Sequence, residues 1–427
     1  MEIAETVGDL LEEVNLEQLS GVGAIDSGAE EELFRRVGQQ AAGELLVKRW
    51  QEADAGAIVQ CEQCQESMRP LGRRKKTLQT VCGTVEILRR VYYCSQCEQT
   101  IAPLDRRLGV ERGGMTPGLM RLVCRTALEL PYQQSGRLLT DTLGFTPCSA
   151  REIERIAKEH GLKIEELKLT EKPTSRKRYS KQQRKPTYCL AIDGVMIPGL
   201  PDADEHRLNW HDVKLAVMTE ARGIGEPIYV AGREGAERFG KRLWSEIERR
   251  GLDKDRFVLI VADGALWIWN LAEMHLPGVP QLLDFYHAAE HLYATAELVW
   301  GEGKTKEIWW HRRLEQLKEG RLTEFFAALK RLARAFGDSQ SDYSPTRLLR
   351  YFADNRARLN YKWAIENNLP VGSGAVESAA RHIVQQRLKQ SGMRWSDEGA
   401  QSILNLRTLH RNGEFEQYWE DFAAAGF

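Results

Sequence analysis

The sequence predicts an α/β protein whose mixed sheet follows a small cysteine-bearing module and a run of helices. Three features carry that expectation. Between residues 187 and 300, short apolar runs alternate with helical patterns, as strands and helices packed in layers do. Two Cys-x-x-Cys pairs bracket an alternating, β-branched stretch, as the knuckles of a zinc ribbon do. Residues 115–167 repeat apolar side chains at helical spacing.

Taken in order, residues 30–51 place Leu33, Val37, Leu45, Leu46 and Trp50 on one helical face, so residues 1–60 read as a helical region with a packing or dimerisation role. Residues 61–112 read as the ribbon, with hairpin strands over 77–93 marked by Val81, Val85, Ile87 and Val91. In residues 113–170, Thr116-Pro117 starts one helix, Pro131 another, and Cys148-Ser149 precedes a third. Three short helices with tight turns suit a helix-turn-helix DNA-binding unit, and equally suit a plain packing module. Residues 171–186 are hydrophilic, carry Arg176, Lys177 and Arg178, and read as a basic linker lying along a phosphate backbone. The sheet follows, with strands over 188–192, 213–219, 227–231, 257–262 and 281–285, and a helix over 236–250. Residues 301–370 are helical and rich in Trp and Arg, an expected insertion, with the Trp pairs at 267/269 and 309/310 read as core. Gly372-Ser373-Gly374 then opens a long helix over 375–388 inside a closing segment, 371–412, and residues 413–427 read as a tail.

Composition narrows the class. A chain of 427 residues exceeds the size at which one core stops growing, so roughly two to four domains are expected. Lys and Arg number 60 against 61 Asp and Glu, a net charge of −1, so only the distribution of charge can point to nucleic acid. Basic clusters fall at 69–90, 106–112, 176–185 and 381–394. No apolar run is long enough to cross a bilayer and the first residues lack a secretory pattern, so a cytoplasmic protein is expected. Eight cysteines are too sparse for a disulfide scaffold. Cys61, Cys64, Cys94 and Cys97 carry one spacing twice, so four thiolates can close a tetrahedron around a structural zinc ion; Cys82, Cys124, Cys148 and Cys189 read as buried apolar residues.

Three carboxylates carry the catalytic expectation. Two apolar runs, Tyr188 to Ile192 and Phe257 to Ala262, are each followed by Asp-Gly, at Asp193 and Asp263. An acid directly after a buried strand stands at the carboxyl edge of an α/β sheet, where ligands bind, although a single Asp-Gly is more often an ordinary turn. Glu377 falls in the first turn after Gly-Ser-Gly, where it can turn to the sheet edge or merely serve the helix dipole. Three hard oxygen ligands suit two Mg²⁺ (or Mn²⁺) ions, one activating a water or 3′-hydroxyl and the other stabilising the leaving oxygen of a phosphodiester. Arg387, Lys389, Arg394 and Trp395 follow; the cations could clamp phosphates and the indole stack on a base, or the run could be a solvated face with a core Trp.

These motifs resemble the DDE transposases of bacterial insertion sequences, in particular the Kra-type group with an N-terminal zinc ribbon. The resemblance spans residues 61–409 and rests on the paired knuckles, AIDG at 191–194, VADGA at 261–265, DFYHAAEH at 284–291, GSGAVES at 372–378 and RLKQSGMRW at 387–395. It implies a ribonuclease-H-like core with a helical insertion, Asp193, Asp263 and Glu377 as the triad, and His287 and His291 lining a site near DNA. It also implies terminal inverted repeats and target DNA as partners, and a homo-oligomer, a dimer in the first instance, that holds two ends together. Two other classes compete. One is a DNA-binding regulator that keeps the architecture without the reaction. The other is a zinc peptidase using the His-x-x-Glu-His of His287 to His291, which leaves the ribbon and both Asp-Gly sites unexplained.

Overall fold

In a computed structural model the described residues are 27–54, 59–111, 113–170, 186–201, 209–223 and 225–425. Arg176, Lys177 and Arg178, most of the basic linker, and residues 1–26 lie outside them. The chain divides into two compact units, residues 1–160 with 413–427, and residues 161–412. The division falls inside the Ala150–Thr170 helix, ahead of the linker at which the sequence suggested a boundary. Side-chain partnerships explain why. His160 Nδ1 lies 2.7 Å from the Tyr418 hydroxyl in the first unit, whereas Gly161 O accepts from Asn405 Nδ2 at 3.0 Å and Glu165 pairs with Arg242 at 2.5 Å in the second.

In the first unit the Ser27–Ala53 helix packs Val47 and Trp50 against a small core of Leu78, Val85, Ile87, Leu104 and Val110. Strands β1 (Arg69–Thr80) and β2 (Gly83–Cys94) form one antiparallel hairpin paired from Arg69↔Tyr93 to Thr80↔Gly83, with a register shift between Pro70 and Gly72, and β3 (Gln99–Ile101) adds to β2. The hairpin reaches further back than residues 77–93. Its first half, Arg73-Arg74-Lys75-Lys76, has no apolar alternation to betray a strand, because its register is held by β2 and by charge: Asp105 accepts both Lys76 (3.0 Å) and Arg89 (2.6 Å). Helices Pro117–Ala127 and Tyr132–Leu143 follow, the second closed by Gly144 in the left-handed conformation that L side chains resist. Residues 413–425 are not a loose tail. Phe415–Ala425 is a helix whose Tyr418, Trp419 and Phe422 rings enclose the buried His160.

The second unit is built on a five-stranded mixed sheet in the order β6-β5-β4-β7-β8, comprising β4 (Tyr188–Pro198), β5 (Trp210–Glu220), β6 (Ile228–Gly232), β7 (Phe257–Ala262) and β8 (Gln281–Leu283). β4–β5–β6 is an antiparallel meander, and β7 and β8 add in parallel beside β4. Leu190 and Ile192 of β4 and Ala216 and Met218 of β5 share a core with Phe239 and Leu243 of the Ala236–Arg249 helix and Ile268 and Leu271 of the Leu266–His275 helix. Gly374–Ala379 packs on β4 and β5, and Asp397–Arg411 on β6. The expected insertion is a set of helices, Lys304–Lys318, Leu322–Phe336, Pro345–Asp354 and Tyr361–Glu366. The expected long helix over 375–388 is present and continuous, but its middle is not α-helical: Gly374–Ala379 passes into a π-helical stretch, Ala380–Gln385, before Gln386–Leu388. A π-turn inserts a residue per turn, a distortion that 3.6-residue periodicity does not announce.

Candidate functional site

The sheet register sets the centre of the site. β4 does not end at Asp193 as its apolar run suggests, because pairing to β5 continues through Asp193↔Leu215 and Gly194↔Lys214 as far as Pro198↔Trp210. The parallel pairing to β7, however, stops at Ile192↔Ala262. Asp193 and Asp263 are therefore the next residues past that last pair, on strands whose spacing is about 4.8 Å. Gly264 turns the chain away with a φ of 105°, and a Cβ there would meet Leu283 and Tyr351 side-chain carbons at 3.0 and 3.2 Å, so the residue after Asp263 has to be glycine.

Glu377 comes from the other side, on the short helix that packs over β4 and β5. Its carboxylate lies within 4.8 Å of ligand atoms of both Asp284 and His287. Burial raises the Asp193 carboxyl above the usual range; its own hydrogen bond from the Gly194 N–H, 2.7 Å, opposes this, and the negative charges of Asp263 and Glu377 push it up further while His287 pulls it down. Asp193 thus feels Asp263, Glu377 and His287 at once. Burial and the neighbouring acids both disfavour the charged form of Asp193, a cost that a bound cation would offset.

Two residues that organise this centre escaped sequence reasoning. Asp284 is fully buried and caps the Phe285–Trp300 helix, its Oδ1 accepting from the N–H groups of Tyr286 (2.6 Å) and His287 (2.9 Å). Its Oδ2 accepts from Ser373 N at 2.5 Å and from the Ser373 hydroxyl, tying the loop before Glu377 to the start of the His287 helix. A helix cap is legible in DFYH; the tertiary half of that bonding is not. The second is Tyr351 of the insertion, whose hydroxyl donates to Asp263 O at 3.0 Å while its ring stacks on His291 at 4.3 Å. Burial lowers the His291 pKa, and the imidazole joins no group of three clustered metal ligands among the described residues. The two-histidine zinc site of a peptidase is accordingly not assembled here.

The basic segment after Glu377 divides in two. Lys389 and Arg394 are exposed, with Lys389 Nζ 5.4 Å over the ring of the half-exposed Trp210. Arg387 and Trp395, which the sequence offered as a phosphate clamp and a base-stacking indole, are buried instead. The Arg387 guanidinium lies 4.9 Å over the Trp395 ring, Trp395 Nε1 donates to Leu388 O at 3.0 Å, and the Trp395 backbone bridges to the end of β4 through Pro198 O. The indole closes the core against the sheet, so it presents no face to DNA.

In the first unit the four sulfurs of Cys61, Cys64, Cys94 and Cys97 lie within 4.8 Å of one another, with Cys64 Sγ and Cys94 Sγ 3.5 Å apart. Four thiolates around zinc stand about 3.8 Å from each other, so the set fits that ion. Backbone N–H groups of Cys64 and Gln63 hold the Cys61 thiol down to about 7, while its bond to the Cys64 sulfur holds Cys97 up to about 12.

Fold and site together define an α/β protein with a mixed sheet, an acidic cluster at the edge where β4 and β7 part, and a separate four-cysteine module that could hold zinc. By sequence the chain belongs to the uncharacterised protein family UPF0236, whose match runs over residues 31–420. No curated protein matches it. Among solved structures it is similar to the Drosophila P element transposase strand transfer complex, at 11% identity over 74% of this chain and 83% of that one, with a TM-score of 0.27, too low to support an argument. No helix among the described residues is long and apolar enough to cross a membrane.

Proposed function

We propose that the chain is a DDE-type DNA transposase with a ribonuclease-H-like catalytic core, in which Asp193, Asp263 and Glu377 bind divalent cations and cut and rejoin phosphodiesters. One observation carries this reading: the half-buried Asp193 stands in the combined field of Asp263, Glu377 and His287 where β4 and β7 part. Such a centre suits Mg²⁺ or Mn²⁺, which would supply an activated oxygen nucleophile and a stabilised leaving oxygen. Asp193 and Asp263 would present carboxylates from rigid strands. Glu377 would complete the set from the helix that Asp284 and Ser373 hold in place. Tyr351 would fix the backbone at Asp263.

DNA contact is supported by cations that make no ion pair among the described residues. Arg73 and Arg90 face each other across the β1–β2 hairpin, a like-charge pair that an anion would relieve. Lys389 and Arg394 supply exposed charge in the second unit. The ribbon and the helices at 117–170 would then recognise terminal repeats, and a dimer would hold two ends.

The test is cleavage of a plasmid carrying the DNA that flanks the gene, with Mg²⁺. Cuts at the element ends are expected, reduced roughly 100-fold or more in Asp193→Ala and in Glu377→Gln. Sequence-specific binding with no cleavage under any divalent ion would make the chain a DNA-binding regulator and end the enzymatic reading.

A further inference from the structure

A second site lies in the helical insertion, away from the carboxylates. Between the Lys304–Lys318 and Leu322–Phe336 helices is a cavity of about 650 Å³. Small side chains, Ala327 and Ala328, leave it open, and the indoles of Trp300 and Trp309, 5.3 Å apart at 49°, wall it. Arg312, Arg313 and Arg331 line it as well, the outer two exposed and Arg313 only 5% exposed.

Arg313 is the unusual member. A buried guanidinium ordinarily has a carboxylate or several acceptors, because desolvating a charge without them is costly. Among the described residues Arg313 has neither: its Nε is without a hydrogen-bond partner, and its one recorded contact is with the Trp309 ring, 5.4 Å away. Burial, then the charges of Arg312 and Arg331, push it down to about 10, and Glu324 offsets this only in part. Glu324 is already engaged, accepting from Gln316 Nε2 at 3.2 Å and Arg321 at 3.3 Å. The buried Gln316 Oε1, also lining the cavity, is a free acceptor. An apolar-floored slot with two tilted indole walls, a buried arginine whose Nε is unsatisfied and an unsatisfied acceptor lacks one thing, a planar ligand that carries an anion.

We propose that this cavity binds a nucleotide unit, its phosphate on Arg312, Arg313 and Arg331 and its base against Trp300 and Trp309, with Gln316 Oε1 accepting from a base N–H. Guanidinium forks match phosphate oxygens, and every base has a face for an indole to stack on. The source is a free nucleotide or a nucleotide of a DNA strand. The site shares no residue with the carboxylate centre and stands whether or not that centre is catalytic.

The experiment is calorimetric titration of the full chain in EDTA with thymidine 5′-monophosphate, with inorganic phosphate and with a single-stranded octadeoxynucleotide. The variants are Arg313→Met, Arg312→Gln/Arg331→Gln and Trp309→Leu, with circular dichroism to verify folding. The paired exposed arginines lie outside the core, so that variant reads the site even if Arg313→Met or Trp309→Leu fails to fold. Thymidine monophosphate is expected to bind more tightly than phosphate, and the Arg312/Arg331 variant to weaken it roughly ten-fold or more. A tighter octamer assigns the site to a strand; a tighter mononucleotide assigns it to a free nucleotide. No binding of thymidine monophosphate, equal binding by the Arg312/Arg331 variant, or phosphate binding as tightly as the nucleotide would overturn the proposal.

Discussion

Asp193 is where the centre costs the fold most. Its folded pKa is raised, chiefly by burial, so the folded chain holds that proton more tightly than the unfolded one. Stability from this group is therefore complete below the ordinary carboxyl value and is lost as pH rises through the raised one, leaving the metal-free protein strained at neutral pH. Asp193→Asn removes the charge with little change of shape. It should raise the melting temperature of the metal-free chain by about 2–4 °C at pH 7, an effect of roughly 1 kcal/mol, and should abolish further stabilisation by Mg²⁺. Thermal melts of both proteins with and without Mg²⁺ at pH 5 and 7 read this, and the gap between them should shrink at pH 5. Asp284 makes the opposite case. Alanine there removes an N-cap and strands the buried Ser373 donors, costing roughly 2–3 kcal/mol, while asparagine keeps an acceptor and should cost less than half as much; urea melts compare them. Asp193, Asp263 and Glu377 could be singled out because each follows a local sign, an apolar run or Gly-Ser-Gly. Arg387 and Trp395 were misread because charge and aromaticity in a sequence do not say which side of a loop faces water.

At the scale of elements, the ribbon is the part whose stability rests least on a core. Its cluster around Cys61, Met68, Tyr92 and Cys94 is small, so a closed four-thiolate site would contribute much of its folding energy. Cys94→Ser, or chelation, should release one zinc per chain and melt the β1–β2–β3 sheet while the 161–412 unit keeps its structure; elemental analysis with hydrogen exchange checks both. Retention of hairpin protection without metal would mean the sulfurs cluster for packing alone. The two knuckles and their spacing were plain in the sequence, since four cysteines at equal gaps have few other uses. Half of the hairpin was hidden, because Arg73 to Lys76 are held by partner-strand hydrogen bonds, and Lys76 also by Asp105, rather than by a pattern of their own. The π-helical middle of the closing helix was hidden for a similar reason: the Ala380–Gln385 stretch answers to packing of Ile383 and Val384, and to Arg407 donating to Ile383 O at 2.8 Å.

Across the whole molecule, the strand and helix order was readable from periodicity, and the mixed sheet follows from it. The strand order β6-β5-β4-β7-β8 was not, because register is a property of pairs of strands. That register is what sets Asp193 beside Asp263, whereas the cap and loop around Asp284 bring Glu377 within 4.8 Å of Asp284 and His287. The claim that these three carboxylates together bind divalent cations is tested most directly by anomalous scattering from crystals of the chain soaked in Mn²⁺. The account predicts manganese peaks within about 2.2 Å of oxygens of Asp193, Asp263 and Glu377, all lost in Asp193→Asn. Manganese held by Asp284 and His287 alone, or no peak at the edge where β4 and β7 part, would contradict it.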